Sequence, residues 1–101
     1  STLYSNQVRA ASGNIRGGAI YSKGGSLQIV QSTFSGNSSS LTTSSSVGTS
    51  ISEGGAIYME NGPLTIVQST FADNSATRSI TSDRATGGAI GLLNSNAFIS
   101  N

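Results

Sequence analysis

Apolar residues recur along this chain in short clusters that are separated by glycine, serine and asparagine. Within residues 54–74 the clusters read GAIY, LTIV and STF. Each cluster is rich in β-branched or aromatic residues and is bounded by turn-forming residues, which is typical of a short strand. Glycine pairs and the absence of a sustained 3.6-residue period disfavour helices. The pattern therefore predicts an all-β chain with three short strands in each unit.

The unit is repeated along the chain. Residues 17–37 read GGAIYSKGGSLQIVQSTFSGN, and residues 54–74 read GGAIYMENGPLTIVQSTFADN. A third copy starts at residue 87, so that the GGAI motifs begin at residues 17, 54 and 87. Short strands repeated at this period are the signature of a β-solenoid. We expect a single solenoid segment of three coils, 1–31, 32–68 and 69–101, within a longer array or a filament stacked head to tail.

Three segments between the copies differ in length and composition and are predicted as loop insertions. They are residues 7–16, residues 38–53 and residues 75–86, and the second is a low-complexity run of serine and threonine. Insertions in repeat proteins usually lie in loops on one side of the stack. The serine- and threonine-rich segment is also compatible with glycosylation, which the sequence alone does not decide.

Stacked coils bring equivalent residues together, and this predicts columns of like side chains. Alternation along each strand divides the columns into inward and outward ones. The predicted inward columns are Ile20, Ile57 and Ile90; Leu27, Leu64 and Ala97; Ile29, Ile66 and Ile99; and Leu3, Phe34 and Phe71.

A polar column is predicted from Asn6, Asn37 and Asn74. Stacked asparagine side chains can hydrogen-bond along the coil axis, and asparagine tolerates the left-handed backbone of a tight corner. We interpret this column as structural, with ligand binding as the alternative.

The third copy departs from the other two. Leu92 and Leu93 occur where the first copy has polar residues, and Phe98 replaces Gln28 and Thr65. One interpretation is local repacking around the small Ala97. The other is an exposed apolar patch of Leu92, Leu93 and Phe98 for lateral contact with another chain.

Composition narrows the possible functions. Only 9% of residues are charged, the net charge is +1, and His and Cys are absent. Scattered basic residues do not form a nucleic-acid footprint, and no apolar run approaches the roughly 20 residues that span a bilayer. A Ser-His-Asp or Cys-His site is excluded within the chain. The lack of an initial Met suggests a processed product or part of a longer chain.

The four carboxylates do not form a recognisable catalytic or metal site. Glu53, Glu60, Asp73 and Asp83 are the only acidic residues, and no two fall at matching positions of neighbouring coils. Polysaccharide-active β-helix enzymes need clustered carboxylates or Ca²⁺. We therefore predict no catalytic residue, metal or cofactor. An ice-binding surface is also disfavoured, because one threonine column is present without a regular array.

The motif GGAI followed by FxxN, once per coil, resembles the polymorphic outer-membrane protein repeat of chlamydial-type autotransporter adhesins and related bacterial surface β-helix proteins. The matching positions are 17–20 with Phe34 and Asn37, 54–57 with Phe71 and Asn74, and 87–90. The resemblance implies a right-handed parallel β-helix at the cell surface, often adhesive and without catalytic residues. This chain departs from the chlamydial members in having no cysteine.

These observations lead to three functional hypotheses. The first is a structural segment of an extracellular filament or cell-surface stalk that stacks end to end on copies of itself or on adjoining coils. The second is an adhesin passenger segment whose loops, chiefly residues 38–53, bind a host or a glycan surface. The third is a polysaccharide-active β-helix enzyme.

Overall fold

The computed structural model describes residues 1–10, 14–41, 51–77 and 84–100. These residues form fifteen strands and contain no helix. The first repeat supplies β1 (Thr2–Tyr4), β2 (Gln7–Ala10), β3 (Asn14–Arg16), β4 (Ile20–Lys23) and β5 (Leu27–Val30). The second supplies β6 (Thr33–Ser35), β7 (Ser38–Leu41), β8 (Ile51–Glu53), β9 (Ile57–Glu60) and β10 (Leu64–Val67). The third supplies β11 (Thr70–Ala72), β12 (Ser75–Thr77), β13 (Arg84–Thr86), β14 (Ile90–Leu93) and β15 (Ala97–Ser100).

The strands form five parallel sheets, and each sheet takes one strand from each repeat with the second repeat in the centre. The sheets are β1-β6-β11, β2-β7-β12, β3-β8-β13, β4-β9-β14 and β5-β10-β15. The molecule measures 41 × 26 × 15 Å. Its shortest dimension matches three strands at about 4.8 Å spacing, so the repeats are stacked along that axis. The all-β prediction is confirmed for the described residues, and stacked parallel sheets are consistent with a solenoid.

Each repeat has five strands, so the prediction of three was wrong. The additional strands lie inside the segments predicted as loop insertions: β2 and β3, β7 and β8, and β12 and β13. In the second repeat Ser39 and Ser52 are fully buried, and their hydroxyl oxygens are 2.8 Å apart. The Ser52 hydroxyl also donates to the carbonyl of Ser39 at 2.9 Å. Because the two hydroxyls satisfy each other, a serine-rich segment can enter the interior. Residues 42–50 lie outside the described residues.

Four corners of the repeat use a residue with positive φ. Equivalent positions share this backbone conformation: Ser5, Gly36 and Asp73; Gly17, Gly54 and Gly87; Gly24, Asn61 and Asn94; and Gln31 and Gln68. The prediction that the Asn6, Asn37 and Asn74 column takes the left-handed corner was wrong, because the residue before each asparagine takes it. The asparagines keep ordinary backbone angles and turn their side chains into the ladder described below.

The two glycines of the GG motif have different roles. Gly54 has φ of 67°, a conformation that favours glycine. At Gly55 a Cβ atom would overlap the carbonyl oxygen of Gly88 in the next repeat. A Cβ atom at Gly18 would likewise overlap the carbonyl oxygen of Gly55. The second glycine is therefore required by close approach between repeats. At Gly88 the nearest heavy atom to a Cβ would be the carbonyl oxygen of Asn74, at 3.9 Å.

The apolar core lies in the second repeat, between the flanking strands. Equivalent inward residues pair in register, as Leu27 with Leu64 and Leu64 with Ala97. The Phe34 and Phe71 rings stack with their centroids 4.8 Å apart. The fully buried apolar side chains of this region are Phe34, Ile57, Met59, Leu64 and Ile66. Met59 belongs to this core because it lies two residues after Ile57 and so faces the same way.

Candidate functional site

The Asn6, Asn37 and Asn74 column forms a hydrogen-bonded ladder through the three repeats. The Asn6 side-chain amide donates to Oδ1 of Asn37 at 2.9 Å, and that of Asn37 donates to Oδ1 of Asn74 at 3.0 Å. The backbone N–H groups of Asn6 and Asn37 donate to the same two oxygens. Asn37 is fully buried. The ladder thus satisfies the side-chain polar groups of Asn37, the asparagine in the central repeat.

The ladder has a direction. Among the described residues, each carboxamide-to-carboxamide bond of the ladder runs from an N–H of one repeat to an oxygen of the next. Gln31 and Gln68 repeat this direction, because Nε2 of Gln31 donates to Oε1 of Gln68 at 3.3 Å. In the asparagine column, the third-repeat end therefore offers N–H donors and the first-repeat end offers an oxygen acceptor.

The outer surface of β3, β4, β8 and β9 carries an aromatic and charged cluster that sequence reasoning missed. Nε of Arg16 donates to Oε2 of Glu53 at 3.0 Å, and the guanidinium carbon lies 5.2 Å from the centroid of the Tyr58 ring. The Tyr21 and Tyr58 rings stack at 5.7 Å. Tyr58 is only 2% exposed although its column faces outward. The cluster joins the first and second repeats on the outside, as the core joins them on the inside.

The electrostatics of this cluster are those of a structural contact. Burial raises the pKa of the Tyr58 phenol, the Glu53 carboxylate raises it further, and the Arg16 guanidinium opposes the shift. The hydrogen bond to Glu53 raises the pKa of Arg16, and burial opposes this shift. Both partners of this pair remain partly exposed, and such pairs contribute at most about 1 kcal/mol. The opposite charges of Arg16 and Glu53, each directly before a GG pair, were the sequence signal for this contact.

The third-repeat edge exposes residues of the inward columns. Ile99 pairs in register with Ile66, yet Ile99 is 58% exposed and Ile66 is 1% exposed. Leu92 pairs with the fully buried Met59 and is itself exposed. These two side chains are uncovered because β14 and β15 have a described neighbouring strand on one side only. Their exposure therefore marks an open end of the core.

Leu93 and Phe98 are exposed for a different reason. Leu93 pairs with Glu60 and Phe98 pairs with Thr65, so both occupy outward columns. Their exposed fractions are 41% and 64%. Phe98 therefore does not fill space next to Ala97, and the structure does not support local repacking. The predicted patch divides into an end-facing residue, Leu92, and two side-facing residues.

The first-repeat edge is also open but is covered more fully. Leu3, Ile20 and Leu27 are partly buried against the core, whereas Tyr4 and Val30 are exposed. Ile29, the first-repeat member of the Ile66 column, is 5% exposed, whereas Ile99 at the other end of that column is 58% exposed. The columns pass in register through the three repeats, so the two edges share the order of their columns but differ in how far these are covered.

The acidic residues are not gathered into one site. Glu53 pairs with Arg16, Glu60 accepts a hydrogen bond from the Tyr21 hydroxyl at 3.1 Å, and Asp73 lies at an exposed corner. Asp83 lies outside the described residues. Within the described ranges, no three His, Cys, Asp or Glu residues are placed to hold a metal ion. A shallow depression of about 500 Å³ beside Asn61, Pro63 and Asn94 is open and holds no charged group.

Comparisons with known proteins give no assignment. No protein-family model matches the chain, and neither curated proteins nor solved structures gave a match. In the part of the chain that the structure describes, no helix is long and apolar enough to cross a bilayer.

Proposed function

We propose that this chain is a structural segment of a right-handed parallel β-helix that stacks end to end in an extracellular filament or cell-surface stalk. The observation that carries the proposal is the open core at the third-repeat edge, where Ile99 is 58% exposed above a fully covered Ile66. Unpaired strand edges of this kind readily accept further strands. A stacked neighbour covers the apolar columns and pairs the open backbone in one step.

The motif residues support a structural role. In the GGAI segment, Gly54 makes a corner, Gly55 allows close approach between repeats, and Ile57 is core. In the FxxN segment, Phe34 is core and Asn37 is a ladder residue. Every one of these side chains or glycines serves the stack itself. The resemblance to the polymorphic outer-membrane protein repeat supports a surface location and the right-handed winding.

The other two hypotheses have less support. The adhesin hypothesis depends chiefly on residues 38–53, of which residues 42–50 lie outside the described residues, and it stays a prediction. We propose no enzymatic role, since each acidic side chain for which the structure gives a contact serves a structural one. The proposed function is therefore tested by assembly of the chain and not by loss of an enzymatic activity.

The test of the proposal is assembly of the purified chain. We expect sedimentation velocity over a concentration series to show growth beyond a dimer, and negative-stain microscopy to show continuous fibres. Ile99→Lys places a charge in the exposed inward column and should reduce assembly at least tenfold. Gln28→Lys is the matched control, because Gln28 is exposed on an outward column. A folded wild-type chain that remains monomeric at all concentrations would refute the proposal.

Lateral contact is a separate part of the proposal and has its own test. Leu93 and Phe98 face sideways, so in a stack they would form an apolar patch that recurs once in every three repeats along the fibre. Leu93→Ser together with Phe98→Ser should leave fibre growth intact and abolish bundling of fibres in micrographs. Unchanged bundles in this variant would remove the lateral role of these residues.

A further inference from the structure

We infer that the stacking partner is a second copy of this chain, which places its β1–β5 edge on the β11–β15 edge of the first and continues all five sheets in register. The inference rests on the proposed function and specifies the direction and register of its interface. It predicts that Asn74 of one copy donates to Asn6 of the next, as Asn37 donates to Asn74 within the chain. Two further observations support it.

The hydrogen-bond ladder is complementary across such an interface. Within the chain, each upstream asparagine gives its backbone N–H and its side-chain amide to Oδ1 of the next one. Asn74 has the same two kinds of donor. Among the described residues, its side-chain Nδ2 donates only to the Phe34 carbonyl. Asn6 carries an Oδ1 for which no described residue is a donor. A head-to-tail contact joins this donor edge to this acceptor edge and satisfies both.

Gly88 supplies an independent observation. Gly18 and Gly55 are required because a Cβ atom would overlap the carbonyl of the equivalent glycine in the next repeat. At Gly88 a Cβ would have no neighbour closer than 3.9 Å, and this glycine lacks the positive φ that would otherwise favour it. Nothing in the described chain requires glycine at this position. A repeat stacked on this edge does require it, and in the proposed contact the carbonyl of the second copy's Gly18 would occupy the space.

The apolar columns continue across the same contact. In this register Phe71, Ile90 and Ile99 of one copy lie under Leu3, Ile20 and Ile29 of the next, which are the residues at the corresponding positions of the first repeat. The joined surface is then an additional inter-repeat interface of the kind already present twice within the chain. The alternative in which two β11–β15 edges face each other places Asn74 donors against Asn74 donors.

Cysteine pairing tests the direction of the contact. Thr2 and Thr70 are exposed residues in the column that passes through Thr33, so they are two strands apart in one copy, or about 9.6 Å. Disulfides need Cα atoms within about 7 Å, so these positions cannot pair within a copy. Across the proposed interface they are direct neighbours. Because the chain has no cysteine, Thr2→Cys with Thr70→Cys adds the only thiols.

On oxidation we expect the double variant to give a ladder of covalent oligomers on a non-reducing gel. Each single variant serves as a control and should remain monomeric on that gel. Dimers from Thr70→Cys alone would show that like edges pair and would overturn the inference. Fibres of the double variant that yield no covalent ladder would also overturn it.

Gly88→Ala tests the interface by sterics without disturbing the chain. We expect the variant to keep the wild-type circular dichroism spectrum and to lose assembly by at least tenfold. It should also act as a terminator: its free β1–β5 edge adds to a growing wild-type fibre, and its blocked β11–β15 edge stops further growth. Addition of one-tenth Gly88→Ala to wild type should therefore shorten the fibres measured by microscopy.

The outcomes separate the inference from the proposed function. Wild-type chains that never assemble would refute both. Wild-type fibres that Gly88→Ala neither prevents nor shortens would refute the head-to-tail register alone, and stacking would then use another surface. A Gly88→Ala variant that fails to fold would contradict the open space found at this position and would overturn the steric argument, leaving the cysteine test to decide.

Discussion

The second and third repeats use the same columns, but only the second has neighbours on both sides. Ile66 and Ile99 are equivalent residues with 1% and 58% exposure, and Gly55 and Gly88 are equivalent glycines with and without a backbone neighbour. The difference shows that at the third-repeat edge the motif alone does not bury its inward residues. A repeat of this kind is stabilised by nearest-neighbour interfaces, so an outer repeat is an incomplete version of the central one.

The largest difference is expected between Gly55→Ala and Gly88→Ala in dilute, unassembled protein. A Cβ at Gly55 overlaps backbone atoms of Gly88 and Ser75, which cannot rotate away. We expect Gly55→Ala to lower the free energy of unfolding by more than about 4 kcal/mol, or to prevent folding. Gly88→Ala should change it by less than about 0.5 kcal/mol. Urea unfolding of the two variants measures both values, and equal losses would contradict the comparison.

The next effect is expected from truncation of the inward isoleucines. Ile66→Ala leaves a cavity in a fully covered core and should cost about 2–5 kcal/mol. Ile99→Ala removes a side chain that is mostly in water and should cost less than about 1 kcal/mol in the unassembled chain. Thermal unfolding below the concentration of assembly checks the pair. In assembled material Ile99→Ala should lower the stability by more than it does in the unassembled chain. An equal loss in both would show that Ile99 stays exposed on assembly.

The asparagine ladder provides a smaller contrast between Asn37 and Asn6. Asn37→Ala removes a buried side chain that accepts from Asn6 and donates to Leu3 and Asn74. Leaving such groups unpaired should cost about 2–3 kcal/mol. Asn6→Ala affects an exposed residue of the outer repeat and should cost about 1 kcal/mol. Chemical denaturation distinguishes the two, and Asn37→Ser shows whether a shorter polar side chain recovers part of the loss.

The smallest effect concerns Tyr58 and alkaline pH. Burial raises the pKa of its phenol above the ordinary value of about 10, so the folded chain holds this proton more tightly than the unfolded chain does. The unfolded state therefore binds fewer protons, and stability is retained below pH about 10 and falls as the pH rises through the folded-state pKa. Tyr58→Phe should remove this part of the fall. Absorbance titration near 295 nm, compared with that variant, identifies the late-titrating phenol.

Much of the architecture could be predicted from particular residues. The copies GGAIYSKGG and GGAIYMENG placed Ile20 opposite Ile57, because parallel stacking aligns identical positions. The STF copies likewise placed Phe34 opposite Phe71. Two outer strands per repeat were missed, since Ser39 and Ser52 carry neither apolar nor β-branched side chains. Their burial depends on a hydroxyl pair between β7 and β8, which local pattern does not reveal.

The candidate interface could be predicted only in part. The interpretation of Leu92, Leu93 and Phe98 as one patch treated three neighbouring apolar residues alike. The strand pairing separates them, because Leu92 follows the column of Met59 whereas Leu93 follows that of Glu60. Tyr58 lies in an outward column, and its stacking with Tyr21 and Arg16 buries it. Such burial on an outer face requires knowledge of the neighbouring repeat.

The sequence by itself determined the strand-rich character of the chain and the register of its columns, because parallel stacking aligns the like residues of successive copies. The tertiary structure alone decided which members of each column are buried, since Ile29, Ile66 and Ile99 occupy one column and are 5%, 1% and 58% exposed. It also decided that Gly88 lies against open space while Gly55 does not. A motif encodes the surface that a repeat presents, and the neighbouring repeat decides whether that surface becomes core.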